Sequence, residues 1–188
     1  EPSTGRLLAR AFAGLEAAGL ADSTAGGIYG DHDARLGATP EIAALAGEPA
    51  GSPSLPLRLE RVPAFLVLPR GQVVGEVDAV GSHVDLAPTW LHYLGVAAPP
   101  AFVGRPLLPG QGGPGVAALA DGSAIGDARM FAAAGRDIPP GGACFERITG
   151  AQIDREACAE LVARARRALS VSRAIADHDL ARTLPAGE

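Results

Sequence analysis

Apolar residues recur at helical spacing over residues 4–19, where Leu7, Leu8, Ala11, Phe12, Leu15 and Ala18 share one face and Gly19 supplies a stop. The pattern predicts an amphipathic helix. After a polar turn, residues 25–29 are short, small and apolar enough for a strand buried on both faces. Residues 37–61 hold Pro, Gly and Ala without a period and read as a long loop, of the kind that forms lids or site walls. Unbroken apolarity over residues 64–68, with Pro63 at the entry and a Pro-Arg-Gly turn beyond, predicts a central parallel strand.

A second helix follows in "GSHVDLAPTWLHYLGV". Asp85 is placed to cap it, Pro88 falls in its first turn, and Leu86, Trp90, Leu91 and Leu94 form its inward stripe. Gly95 ends it, and residues 96–115 read as loop, the glycine-rich "GQGGPG" included. From residue 116 to 148 the pattern predicts two to four short antiparallel strands, with the "PPGG" turn at 139–142 between two of them. The chain closes with a long helix from about Asp154 to Leu180, whose inward stripe is Cys158, Leu161, Val162, Ala165, Leu169, Ser172 and Ile175. Helices leading into buried strands indicate an α/β layer.

Length and composition narrow this picture. The 188 residues suffice for one domain with a core. A net charge of -5 and the lack of a basic cluster give no reason to expect a nucleic-acid partner. No apolar run approaches the roughly 20 residues needed to span a bilayer. The chain opens at Glu1 and its only methionine is Met130, so a fragment or processed product is expected. Cys144 and Cys158 lie 14 positions apart. They either close a loop, stabilising by about 3 kcal/mol on the chain-entropy estimate, or remain two buried thiols; their spacing fits no zinc motif.

Candidate chemistry concentrates in "GGIYGDHDARLG", residues 26–37, where Asp31, His32 and Asp33 follow a glycine at a strand end. In open α/β sheets, ligands bind beyond the carboxyl ends of strands. A carboxylate and an imidazole there could be a solvated turn, or half of a site for Mn²⁺, Zn²⁺, Mg²⁺ or Ca²⁺. Two ligands do not complete such a site. His83 could be a ligand, a substrate contact or a polar residue at a loop-to-helix junction. His92 reads as structural, and His178 suits the dipole at a helix C-terminus. No nucleophile elbow, phosphate-cradling glycine loop or Ser/His/Asp arrangement is present.

Taken in order, a helix, a strand ending "YGDHD", then "VPAFLVLPRG", "VGSHVDLAPTWLHYLGV" and "GRPLL" resemble the C-terminal half of a sulfatase-type domain of the alkaline phosphatase superfamily. The likeness is strongest to the lipoteichoic acid synthase and phosphoglycerol transferase branch, and the tail "SVSRAIADHDLAR" also resembles the end of that branch's final helix. The implied fold is the C-terminal part of an alkaline-phosphatase-like α/β sandwich, with a small antiparallel sheet and a long terminal helix. Residues 1–115 would belong to the core and residues 116–188 to the sheet and helix packed on it.

The resemblance implies that Asp31 and His32 bind the catalytic divalent ion, Mn²⁺ in the transferase branch. Asp33 receives no ligand role, and His83 is a candidate substrate-binding residue. The family's Thr nucleophile, its Glu ligand and its substrate-binding His come from an earlier part of the domain that no segment here matches. By analogy, a Thr oxygen attacks a glycerophospholipid phosphodiester, a covalent phosphoglycerol-enzyme forms, and an acceptor hydroxyl resolves it. The parent protein would be extracytoplasmic and membrane-anchored, with the missing N-terminal half of the domain as this chain's partner. Two other readings are a sulfatase, with a formylglycine nucleophile and Ca²⁺, and a catalytically inactive module that reuses the fold. Against a sulfatase, Asp33-Ala34 follows the Asp-His pair where sulfatases more often have Asp-Asn or Asp-His-Gly.

Overall fold

The helical spacing at the start of the chain is realised as α1, Thr4–Ala17, which ends where Gly19 turns left-handed at φ 68° and Leu20 N–H donates to Leu15 O at 2.9 Å. The computed structural model describes residues 3–33, 36–69, 74–108, 113–134, 138 and 140–182. Its contacts divide the chain into two units, Glu1–Asp33 with Val62–Glu76, and Ala34–Arg61 with Val77–Glu188.

In the first unit a 3-10 turn at Ala21–Ser23 leads from α1 to β1, Gly26–Tyr29, which pairs with β2, Ala64–Val67. The pairing is antiparallel, with Ile28 opposite Phe65 and Gly27 opposite Leu66. The expectation of a central parallel strand at 64–68 is therefore corrected. Continuous apolarity reports what surrounds a strand, not the direction of its neighbour. Burial on both faces of β1 is also not observed. No third strand joins this sheet among the described residues, and none of the residues of α1, β1 or β2 is buried. The Pro-Arg-Gly turn expected after β2 runs into residues 70–73, outside the described residues.

In the second unit, residues 37–61 are not one long loop. They contain α2, Pro40–Leu45, and α3, Leu55–Leu59. Thr39 caps α2, its Oγ1 accepting from Ile42 N–H at 3.4 Å. Pro40 and Pro56 each sit in the first turn of their helix, where a missing N–H costs nothing. Between the helices, Arg58 Nε lies 2.7 Å from Glu48 Oε1, and Ser52 Oγ donates to Glu48 Oε2 at 3.0 Å. Arg58 Nη2 also donates to Ile148 O at 2.9 Å, which ties the segment to the sheet's last turn.

That sheet is a five-stranded antiparallel meander of β3 Val116–Ala118, β4 Ala124–Gly126, β5 Arg129–Ala132, β6 Ala143–Glu146 and β7 Gln152–Ile153, in spatial order β3-β4-β5-β6-β7. Alternation along β5 and β6 sends Phe131 and Cys144 to one face, Met130 and Phe145 to the other. The first face packs under α5, Ala159–Asp177, with Ala124, Cys158, Leu161 and Ala165; the second packs with Leu57 of α3. The expected turn between two strands joins β5 to β6, although Pro139 lies outside the described residues. At Gly142, φ is 84° and a Cβ would collide with the Phe131 ring and Ala132 O, so only glycine lets β6 return along β5.

The long terminal helix begins as expected at Asp154, whose Oδ1 accepts from Glu156 N–H at 2.8 Å. A 3-10 turn at Arg155–Cys158 precedes α5. Cys144 and Cys158 form a disulfide, with Cα atoms 5.8 Å apart and both residues fully buried, which decides the alternative left open by spacing. Among the described residues no helix is long and apolar enough to cross a membrane. Replacing both cysteines by alanine is expected to lower the unfolding free energy by about 2–5 kcal/mol. Urea denaturation of the oxidised parent and the double variant checks this.

Candidate functional site

The antiparallel ladder of the first unit ends at Gly30, whose N–H donates to Pro63 O at 2.9 Å. A Cβ at Gly30 would come within 3.0 Å of Val62 Cβ, so a glycine suits the close passage of the two segments. Beyond it the chain leaves the sheet and presents Asp31 and His32 to solvent, with side chains 87% and 63% exposed. His32 Nδ1 stands 2.6 Å from Asp33 O. A carbonyl can only accept, so Nδ1 carries the proton and, in the neutral ring, Nε2 carries the free lone pair. That Nε2 lies 3.7 Å from Asp31 Oδ1.

This donor set fits a divalent cation. Ligand bonds of about 2.1 Å let one ion touch two atoms up to about 4.2 Å apart, and a histidine ligand is ordinarily oriented by a hydrogen bond from its other nitrogen, the position Asp33 O takes here. Among the described residues, no group of three or more His, Cys, Asp or Glu side chains stands together as a possible ion site. Asp31 and His32 are thus two adjoining polar groups at the strand end. The Asp33 carbonyl, and after it the Asp31 carboxylate, hold the His32 imidazole above its ordinary pKa.

His83 belongs to the second unit and lies exposed on a 3-10 turn, His83–Asp85, that opens into α4, Leu86–Tyr93. Asp85 holds the N-cap position of α4 as expected, but its side chain makes no capping hydrogen bond to that helix. Its carboxylate turns back to Ser82, the cap of the 3-10 turn, in a reciprocal box in which Ser82 N–H donates to Asp85 Oδ2 at 2.8 Å. The other oxygen of this buried carboxylate accepts from Arg105 N–H at 2.8 Å. Thr89 Oγ1 donates to Asp85 O at 2.6 Å and accepts from Leu107 N–H at 2.9 Å. A side chain at Gly104 would run into Val84 O. Residues 104–107 are thereby pinned along the root of α4.

The inward stripe of α4 also differs from expectation. Pro88 and Thr89 are buried, Leu86, Trp90 and Leu91 only partly, and Leu94 is exposed, because the helix docks by its polar anchor and not by its leucines. His92 is exposed. His178 is the C-cap of α5, at the dipole position expected for it. What sequence reasoning missed at Asp85 is the use of its carboxylate by the turn before α4. Its signal was the Ser-x-x-Asp spacing at 82–85, which marks a capping box one turn earlier.

A family model described as Sulfatase matches residues 3–96, half of the chain. No curated protein matches it. Among solved structures, the lipoteichoic acid synthase LtaP from Listeria monocytogenes superposes with a TM-score of 0.69 at 19% sequence identity, over 96% of this chain. The matched region is 44% of that protein, so the chain spans less than half its length. At this identity the likeness is one of fold, and the fold is that expected for the C-terminal part of the superfamily's α/β domain.

Two outcomes are expected from this geometry. Asp85→Ala leaves two backbone N–H groups without their acceptor and should cost about 2–4 kcal/mol, whereas Asp85→Asn keeps one acceptor oxygen and should cost less; denaturant titration separates them. In an NMR titration His32 should protonate at higher pH than an ordinary histidine. Asp31→Asn should lower that midpoint only in part, since the larger cause is the Asp33 carbonyl. The sign follows: protonated His32 favours the folded state in acid, and this small contribution fades as pH rises through the raised pKa.

Proposed function

The chain belongs to the sulfatase family of the alkaline phosphatase superfamily, and on that premise we propose that it is the C-terminal part of a metal-dependent phosphoglycerol transferase acting on glycerophospholipids. The observation that carries the reading is the His32 ring held through Nδ1 with Nε2 and Asp31 Oδ1 3.7 Å apart at a strand end. The shared fold with a lipoteichoic acid synthase supports the transferase branch.

Asp31 supplies a carboxylate oxygen and His32 an imidazole nitrogen to a divalent cation, Mn²⁺ in this reading. A cation bound there supplies Lewis-acid polarisation of a phosphoryl oxygen and favours the ionised form of an attacking hydroxyl. Neither residue makes or breaks a bond to substrate. Asp33 keeps the imidazole in the ligating tautomer through its main-chain carbonyl. The nucleophile, a Thr by analogy, and the remaining ligands come from outside residues 1–188. His83 serves as a substrate contact, presented by the turn that Ser82 and Asp85 lock. The buried disulfide supports an oxidising, extracytoplasmic compartment, and a lipid-linked substrate supports a membrane-anchored parent.

A sulfatase reading, with Ca²⁺ at the same two residues, draws on the matched family's own description. Assay of the contiguous gene product that contains the nucleophile separates the two. Release of diacylglycerol from phosphatidylglycerol in the presence of Mn²⁺ is expected, falling at least about 100-fold in Asp31→Ala and His32→Ala, since loss of a ligand removes the ion's contribution of several kcal/mol. Residues 1–188 alone should show no turnover. Hydrolysis of an aryl sulfate with Ca²⁺, and no diacylglycerol release, would transfer the assignment to a sulfatase.

A further inference from the structure

We infer that residues 94–104 form an interfacial loop that seats in the surface of the lipid bilayer carrying the substrate. The inference rests on the glycerophospholipid reading proposed above, which puts that substrate in a membrane. Its starting point is the segment "LGVAAPPAFVG" between Tyr93 and Arg105, the longest stretch of the chain without a charged or hydrogen-bonding side chain. No residue of it is buried, and residues 94–100 are exposed throughout. Leu94 is exposed by 61% and Val96 by 52%, and Phe102 and Val103 are exposed as well. Exposed apolar runs of this kind are ordinarily avoided in water, where they invite association, unless a function requires them.

The backbone of the loop suits a medium poorer in water. The N–H groups of Leu94, Gly95 and Val96 donate to the carbonyls of Trp90, His92 and Leu91 in α4, and Phe102 N–H donates to Pro99 O at 2.9 Å. Pro99 and Pro100 carry no N–H at all. Fewer peptide donors therefore need water, which lowers the cost of leaving it. The others stay within reach of headgroup water at the shallow depth of an interfacial segment, roughly 5–10 Å. Both ends of the loop are fixed, one by α4 and the other by the hydrogen bonds of Arg105 to Asp85 and of Leu107 to Thr89, so insertion orders little chain. Its position points to lipid as the occupant. Gly104 passes so close to Val84 O that a Cβ would collide, which brings the end of the loop beside the His83–Asp85 turn. Val84 is itself half exposed. The apolar surface thus begins next to His83, the residue proposed to touch substrate. A protein partner would ordinarily meet such a patch with hydrogen bonds at a polar rim. The side chains of this loop offer none, and acyl chains require none.

The test places a nitroxide at residue 96 or 102 of the contiguous gene product, through Val96→Cys or Phe102→Cys, in vesicles of phosphatidylglycerol and phosphatidylcholine. Arg167→Cys, at an exposed position of α5, is the control. Cys144 and Cys158 are bonded to each other and do not take the label. Power saturation in electron paramagnetic resonance reads collisions with oxygen, which concentrates in lipid, and with a water-soluble nickel chelate. The labels at 96 and 102 are expected to collide more with oxygen and less with the chelate than the label at 167. Few collisions with either reagent mean cover by protein and overturn the inference. A profile equal to that at 167 means solvent and overturns it too. In the diacylglycerol assay, the double variant Val96→Asp, Phe102→Asp should raise KM for phosphatidylglycerol in vesicles at least about tenfold. It should leave release from a water-soluble short-chain phosphatidylglycerol unchanged, and Phe102→Leu should behave as the parent. A loss shared by both substrates overturns the inference in favour of a structural role. Lipid contact without diacylglycerol release upholds the place of the loop and counts against the proposed chemistry alone. Release from vesicles with the loop in water or under protein overturns this inference alone.

Discussion

Burial of both faces of the β5–β6 pair is the constraint on which the second unit depends. Strand periodicity places Met130 and Phe145 on one face and Phe131 and Cys144 on the other, so each face needs its own cover. The first finds Leu57 on a short helix far upstream of β5; the second finds α5. Fully burying a large apolar side chain contributes about 1.5–3 kcal/mol, and Met130, Phe131 and Phe145 in two adjacent strands together outweigh any single hydrogen bond of the unit. The disulfide acts on the same place. It joins β6 to the root of α5, so the strand at the centre of the core and the helix that covers it cannot separate freely. The close turn at Gly142 and the Ser52–Glu48–Arg58 cluster then follow as ways of bringing strand and helix to that core.

Around α4 a polar anchor does what apolar packing does elsewhere. Asp85 is a buried carboxylate, which is costly unless its oxygens are hydrogen-bonded. The main-chain N–H groups of Ser82 and Arg105 meet that need. Thr89 relays the same contact one turn on, to Leu107. The Asp-x-x-Pro-Thr pattern and the Gly-Arg-Pro-Leu-Leu segment, both among the residues that carry the family resemblance, are therefore two halves of one structural clamp. What the clamp presents to solvent is His83.

Asp31 and His32 follow another logic. They are held by local geometry alone, a ladder that ends at Gly30 and a ring fixed by the carbonyl of the next residue. Both side chains are largely open to solvent.

What the sequence by itself determined is whatever depends on local periodicity and local chemistry. The amphipathic helix at 4–17, the short antiparallel strands after residue 116, the terminal helix with its Cys158–Leu161–Ala165 stripe, and the Asp-His pair at a strand end were all legible, because each is written within a few residues of itself. The tertiary structure alone decided the antiparallel direction of β2, the pairing of Cys144 with Cys158, the helices hidden among prolines at 40–59, and the use of Asp85 as an acceptor for Arg105. Each of these depends on a partner distant in the chain. An apolar run is the same whichever way its neighbour points, and a carboxylate three residues after a serine does not announce which remote N–H it will meet. Burial and hydrogen-bond satisfaction select those partners, and both are properties of the packed chain.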